Sequence, residues 1–211
     1  TKVETQQVCD DLADEGFSAV ALHGDLEQRD RERTLIHFSN KSASILVATD
    51  VAARGLDIDD MDMVINYHLA HDTQTHVHRV GRTGRAGKKG IACSIYGEAE
   101  AFKIAQIGDH YERDITPEQM PPFNLLDKPP YRPEMVTLMI DSGKKQKVRA
   151  GDILGALTGK DGVAGRQVGK INVLDNVAFV AVERNSSKPA LRKLTEGNIK
   201  GRKIRARRLT R

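Results

Sequence analysis

Arg82 and Arg85 stand three residues apart in the stretch His76-Val77-His78-Arg79-Val80-Gly81-Arg82-Thr83-Gly84-Arg85-Ala86-Gly87. On a helical turn this spacing points both guanidinium groups the same way. A guanidinium is a rigid fork of donors that keeps its charge, so two converging on one spot suit a phosphate. Glycines at 81, 84 and 87 let the backbone approach a ligand closely. A flexible basic loop would have the same composition, so this segment by itself leaves both readings open.

Two further segments carry similar chemistry. Ala48-Thr49-Asp50-Val51-Ala52-Ala53-Arg54-Gly55-Leu56-Asp57 follows an apolar run. Its Thr49 hydroxyl can hydrogen-bond a phosphate, and Asp57 can accept from a sugar hydroxyl; a plain turn capped by Thr and Asp is the commoner use of such residues. His23-Gly24-Asp25-Leu26-Glu27-Gln28-Arg29-Asp30-Arg31 precedes both. His68, His71, His76 and His78 cluster in sequence, but no cysteine accompanies them and their spacing fits no zinc pattern, so no metal is expected.

The elements that must position these residues alternate. Thr1-x-x-Glu4 reads as a capping box opening a helix with Val8, Cys9 and Leu12 on one face. Strands are expected at 18–22, 44–48, 63–67 and 90–96, with a helix carrying Leu35, Ile36 and Phe38. Ile45–Ala48 is continuously apolar, as a strand buried on both faces of a parallel sheet would be. Alternation of this kind predicts an α/β, doubly wound parallel sheet, whose functional loops leave the carboxyl ends of the strands. Six of the seven prolines fall between 117 and 133. They mark a semi-rigid linker, which divides the chain into residues 1–116, a linker at 117–134 and a second domain at 135–211.

That second domain reads β-α-β-β-α-β, the ferredoxin-like order of RNA recognition motifs. Its strands are expected at 136–140, 171–174, 177–182 and 202–209, with a turn at Asp175-Asn176 and helices ending at Gly159 and Gly197, the second capped by Ser187. Residues 135–211 carry 18 Lys/Arg against 6 Asp/Glu, net +12, whereas residues 1–134 are net −8. Such asymmetry points the tail toward a polyanion, with nucleic acid the natural partner. Lys144, Lys145, Lys147 and Arg149 form one basic cluster, and strand alternation sets Lys203, Arg205 and Arg207 on one face with Ile204 and Ala206 toward the core. On the sheet, the positions that normally stack bases are Thr137, Met139, Val177 and Phe179; only Phe179 is aromatic, so charged loops rather than stacking should dominate.

Together the three first-domain segments resemble the C-terminal RecA-like domain of DEAD-box helicases. ATDVAARGLDI looks like motif V, HRVGRTGRAG like motif VI, and HGDLEQRDR like motif IVa. The resemblance implies that Arg82 and Arg85 are arginine fingers for a γ-phosphate. It implies that Gly55 and Asp57 contact the nucleotide's sugar region and that Arg54 couples to the acidic motif of the partner domain. Thr49, Gly24, Gln28 and Arg31 would hold RNA phosphates, and His78 and Arg79 would organise an interdomain contact. ATP with Mg²⁺ is the implied cofactor, gripped mainly by an N-terminal domain, since no G-x-x-x-x-G-K-[ST], D-E-A-D or S-A-T occurs here. Thr1-Lys2 resembles the tail of motif IV, and with no starter methionine an upstream portion is expected.

GKKQKVRAGDILGALTG and VGKINVLDNVAFVAV extend the likeness to DEAD-box proteins of the DbpA type. That family implies recognition of a hairpin in large-subunit ribosomal RNA and a role in ribosome assembly. The rival readings are a non-catalytic RNA-binding module and a DNA-directed helicase. Two cysteines without metal or disulfide spacing, no secretory signal and no apolar run near the roughly 20 residues of a membrane span imply a cytoplasmic protein without a membrane partner.

Overall fold

The computed structural model describes residues 1–54, 61–84, 87–122 and 127–210. Gly55, Asp57 and Arg85 lie outside the described residues. The chain forms two compact units, Thr1–Ala52 with Pro129–Arg211, and Ala53–Lys128.

In the first unit, helix α1 (Lys2–Asp14) opens with the expected capping box, in which Thr1 accepts from the Glu4 amide and the Glu4 carboxylate accepts from the Thr1 amine and hydroxyl. Strands β1 (Ala19–Leu22) and β2 (Ile45–Ala48) pair in parallel and flank α2 (Gln28–Ser39) in sequence. Apolar burial drives this packing: Cys9 of α1 and Ala19, Val20 and Leu22 of β1 are buried where the helices pack on the strands. β2 departs from expectation, because it is half-buried along its whole length rather than enclosed. Its one strand partner among the described residues is β1, so it forms the edge of that pair. A short α3 (Asp50–Ala53) follows it.

The tail domain joins β5 (Met135–Ile140), α6 (Ala150–Thr158), β6 (Val168–Val173), β7 (Ala178–Glu183), α7 (Ser187–Glu196) and β8 (Ala206–Arg208). The sheet order is β6-β7-β5-β8, all antiparallel, as the β-α-β-β-α-β reading requires. Val136, Leu138 and Ile140 of β5 alternate onto one face and meet Val180 and Val182 of β7, Ile153 and Leu157 of α6, and Ala190 and Leu194 of α7. Two boundaries shift. Ser187 is the first residue of α7 and donates its hydroxyl to Arg184 O at 2.7 Å, so it does not cap the helix amides. The last strand shortens to three residues, because Ile199 and Arg202 bond to each other across a tight turn.

The opposite face of this sheet overturns an expectation. Thr137, Met139 and Phe179 are 0%, 1% and 0% exposed. α2 covers them: Ile36 joins Met139, Phe179 and Leu209 in one apolar cluster. Asn40 Nδ2 donates to Thr137 Oγ1 at 3.2 Å, and the Ser42 and Thr137 hydroxyls meet at 2.6 Å. Phe179, the one aromatic residue suited to base stacking, is therefore a core residue.

The second unit holds β3 (Met63–Asn66) and β4 (Ile91–Ser94), paired in parallel, with α4 (Thr73–Val80) and α5 (Ala101–His110). Asp72 caps α4 by accepting from the Thr75 amide at 2.7 Å and its hydroxyl at 2.9 Å, which holds the Asp72 carboxyl below its usual range.

Candidate RNA- and nucleotide-facing surfaces

Parallel pairing of Leu22 with Ala48 makes the loops after β1 and β2 leave side by side, and the Thr49 amide donates to Leu22 O at 3.2 Å. Gly24 is exposed in the first loop, and Gln28 is the exposed first residue of α2. Arg31, one turn on, donates to Ala52 O at 2.8 Å and ties α2 to the end of α3. Thr49 Oγ1 accepts from the Ala52 amide at 3.3 Å, so this hydroxyl caps α3. The fold thus gathers Gly24, Gln28, Arg31 and Thr49 at the carboxyl ends of β1 and β2.

In the second unit, Arg79 donates to Asn66 Oδ1 at 3.1 Å and to His68 O at 2.7 Å, fastening α4 to the end of β3. His78 on the same helix is exposed. The Arg-Gly loop after α4 returns to Met61, whose amide donates to Arg82 O at 3.2 Å and whose carbonyl accepts the Thr83 hydroxyl. Gly84 and Gly87 have φ of +68° and +78°, a region side chains avoid, so glycine is required there. A Cβ on Gly90 would collide with Thr83 and Gly84, which closes the loop upon itself. Arg82 is half-buried in this loop, and Arg54 is exposed after α3.

On the tail domain, residues 143–148 form a tight basic loop. The Lys144 and Lys145 amides donate to Leu174 O and Asp175 O at 2.8 and 2.9 Å, so the loop lies on the β6–β7 turn. A Cβ at Gly143 would collide with the Leu174 carbonyl. Lys144, Lys145, Lys147 and Arg149 are all exposed. Lys200, not singled out from sequence, belongs with them: its ammonium donates to Lys147 O at 2.9 Å and pairs with Asp152 at 3.5 Å. Its place is set by a turn fifty residues downstream, which spacing does not reveal. On the last strand Ile204 and Ala206 pack on the core as expected. Lys203 and Arg205 are exposed, while Arg207 is committed to Asp141 at 2.8 and 3.0 Å.

A parallel α/β unit with a phosphate-suited strand-end cluster, joined to a basic ferredoxin-like domain, defines a helicase C-terminal domain followed by an RNA-binding domain. Family comparison agrees: residues 1–87 match the helicase conserved C-terminal domain and residues 137–208 the DbpA RNA-binding domain. The chain is 49% identical to the ATP-dependent RNA helicase DbpA of Escherichia coli over 98% of its length, and 33% identical to that of Bacillus subtilis over 97%. It spans 45% and 47% of those proteins, about half of each. A DEAD-box protein structure from Methanococcus jannaschii matches 54% of the chain, and 31% of that protein, at 46% identity and a TM-score of 0.51. The E. coli DEAD-box protein SrmB matches 64% of the chain, and 74% of that one, at 30% and 0.54. The chain belongs to the DbpA-type DEAD-box helicases and corresponds to their C-terminal part.

Proposed function

We propose that this chain is the RNA-holding and phosphate-sensing half of an ATP-dependent RNA helicase whose tail anchors it to a hairpin of large-subunit ribosomal RNA during ribosome assembly. What most supports this reading is the joining of two surfaces in one compact unit. α2 carries Gln28 and Arg31 near its start and covers the tail sheet with Ile36 near its end. A hairpin held by Lys144, Lys145, Lys147, Arg149, Lys203 and Arg205 is then kept near the groups that grip a strand for remodelling. Phosphate contacts of this kind supply affinity, and base edges in the hairpin loop supply specificity.

For the nucleotide, Arg82 and Arg85 are the groups suited to a γ-phosphate, with Arg54, Gly55 and Asp57 beside the sugar and the domain contact. Guanidinium donors fit phosphate oxygens and offer nothing to Mg²⁺, whose oxygen ligands would come from the partner helicase domain. When bound, ATP supplies the phosphoryl group whose developing charge these arginines neutralise. His78 and Arg79 support the domain contact; Arg79 does so by fixing the end of β3. A cytoplasmic setting is part of this proposal; among the described residues no helix is long and apolar enough to cross a membrane. Crosslinking in cells followed by sequencing of the bound RNA tests the reading: enrichment of one large-subunit hairpin is expected, and an even spread over messenger RNA or DNA would refute it.

A further inference from the structure

Lys2, Gln6 and Asp10 recur every four residues along one face of α1. Lys2 and Gln6 hold the loop that follows β1. His23 O accepts from the Leu26 amide at 3.3 Å, so residues 23–26 form a turn with Gly24 and Asp25 at its tip. The Lys2 ammonium donates to Asp25 Oδ1 at 2.6 Å. His23 Nε2 and Gln6 Oε1 meet at 3.3 Å. Gly24 stands exposed between these ties, and its amide donates to no protein acceptor among the described residues.

The two ties differ in strength. Lys2 and Asp25 are both more than half exposed, so water screens their pair and leaves it weak. His23 is 9% exposed, and its contact is set by a chain of side chains. The Asp10 carboxylate accepts from Gln6 Nε2 at 2.9 Å. That fixes the Gln6 amide with Oε1 toward His23, so the imidazole donates from Nε2. Its other nitrogen, Nδ1, is buried without a hydrogen-bond partner among the described residues. An unpaired buried nitrogen costs stability, and an apolar side chain would fill the place without that cost. Histidine serves here for the bond it makes rather than for its packing.

We propose that Gln6 and His23 are positioning residues for RNA: the Asp10–Gln6–His23 chain holds the 23–26 turn so that Gly24 meets a phosphate of the strand being remodelled. The inference rests on the reading that Gly24, Gln28, Arg31 and Thr49 hold an RNA strand. Gly24 has no side chain to fix its own place, and glycine is the residue with the most backbone freedom to lose. The turn therefore needs an outside tie, and the buried one comes from α1. A displacement of about 1 Å in such a group can cost about 10²-fold in rate.

The test uses the intact ATP-hydrolysing helicase and a large-subunit ribosomal RNA hairpin joined to a short duplex. Gln6→Met keeps the length of the side chain and removes both of its hydrogen bonds. It should lower kcat for duplex unwinding by about 10- to 100-fold. The RNA concentration for half-maximal rate, which the hairpin sets, should match the parent's, as should the melting temperature. His23→Gln carries an amide nitrogen where Nε2 stood and should keep most of the rate. His23→Asn, whose nitrogen falls at Nδ1, should behave like Gln6→Met. If His23→Asn keeps the rate and His23→Gln loses it, His23 contacts RNA directly through Nδ1 and the positioning role is overturned. Loss of hairpin affinity in step with rate in every variant marks a purely structural role and overturns it too. Gln28→Ala separates the inference from the reading beneath it. If Gln28→Ala slows unwinding and Gln6→Met does not, the RNA-holding cluster stands and the positioning role fails. If neither slows it, the cluster does not hold RNA, and the positioning role falls with it.

Discussion

At the scale of single residues, two side chains give sharp expectations. In the ATP-hydrolysing protein, Arg82→Ala or Arg85→Ala should lower turnover by about 10³-fold or more, the effect of arginine fingers in phosphoryl transfer. Hairpin affinity should persist, because the proposal assigns it to the tail. Steady-state ATPase and RNA titration on the same variant separate the two outcomes. His37 makes a different prediction. Burial, and then the Arg208 charge, push its imidazole down to about 4. In the unfolded chain it titrates near 6.5. As pH falls, the unfolded state therefore takes up the proton first, and stability falls between pH 6.5 and 4. The loss approaches about 3 kcal/mol at 1.4 kcal/mol per unit, and less to the extent that the half-buried ring is reached by water. Melting temperatures measured across that window should decline for the parent and stay flatter for His37→Gln.

At the scale of elements, the contact between α2 and the tail sheet decides how Phe179 is read. Phe179→Ala removes a fully buried ring from the cluster with Ile36, Met139 and Leu209. A destabilisation of about 3–5 kcal/mol in urea unfolding is expected, as for large-to-small changes in other cores. Below the unfolding transition, RNA affinity should change little; a variant that stays folded but loses the hairpin would show that the ring stacks on a base after all. The basic loop behaves oppositely. Lys144→Gln/Lys145→Gln/Lys147→Gln touches no core residue and should leave stability near the parent's. It should weaken hairpin binding and lower the salt slope by about 2, at roughly 0.7 per phosphate. An unchanged slope would remove these lysines from the interface.

At the scale of the whole molecule, the 211 residues contain the arginines proposed to sense a γ-phosphate but no G-x-x-x-x-G-K-[ST] loop to hold one. The purified chain with RNA and Mg²⁺ should therefore show no ATP hydrolysis above that of a sample lacking the protein. Sustained turnover that copurifies with the chain and vanishes in Arg82→Ala would place a complete site within it. The charge division gains a structural meaning here. The +12 tail is fixed to the acidic segment through apolar and hydrogen-bonded contacts of α2. Lys144, Lys145, Lys147 and Arg149 of its basic loop stay exposed.

What the sequence by itself determined is local. The capping box at Thr1 and Glu4, the strand–helix alternation, the β-α-β-β-α-β order and the basic runs are set by neighbours a few residues apart, and each formed close to where its pattern lies. The three motif segments were legible for the same reason, since each is a contiguous run of sequence. Tertiary structure alone decided the fate of Thr137, Met139 and Phe179. Period-two alternation divides a strand into two faces but does not say what covers the second one. That was settled by Ile36, Asn40 and Ser42, which lie about a hundred residues earlier in the chain.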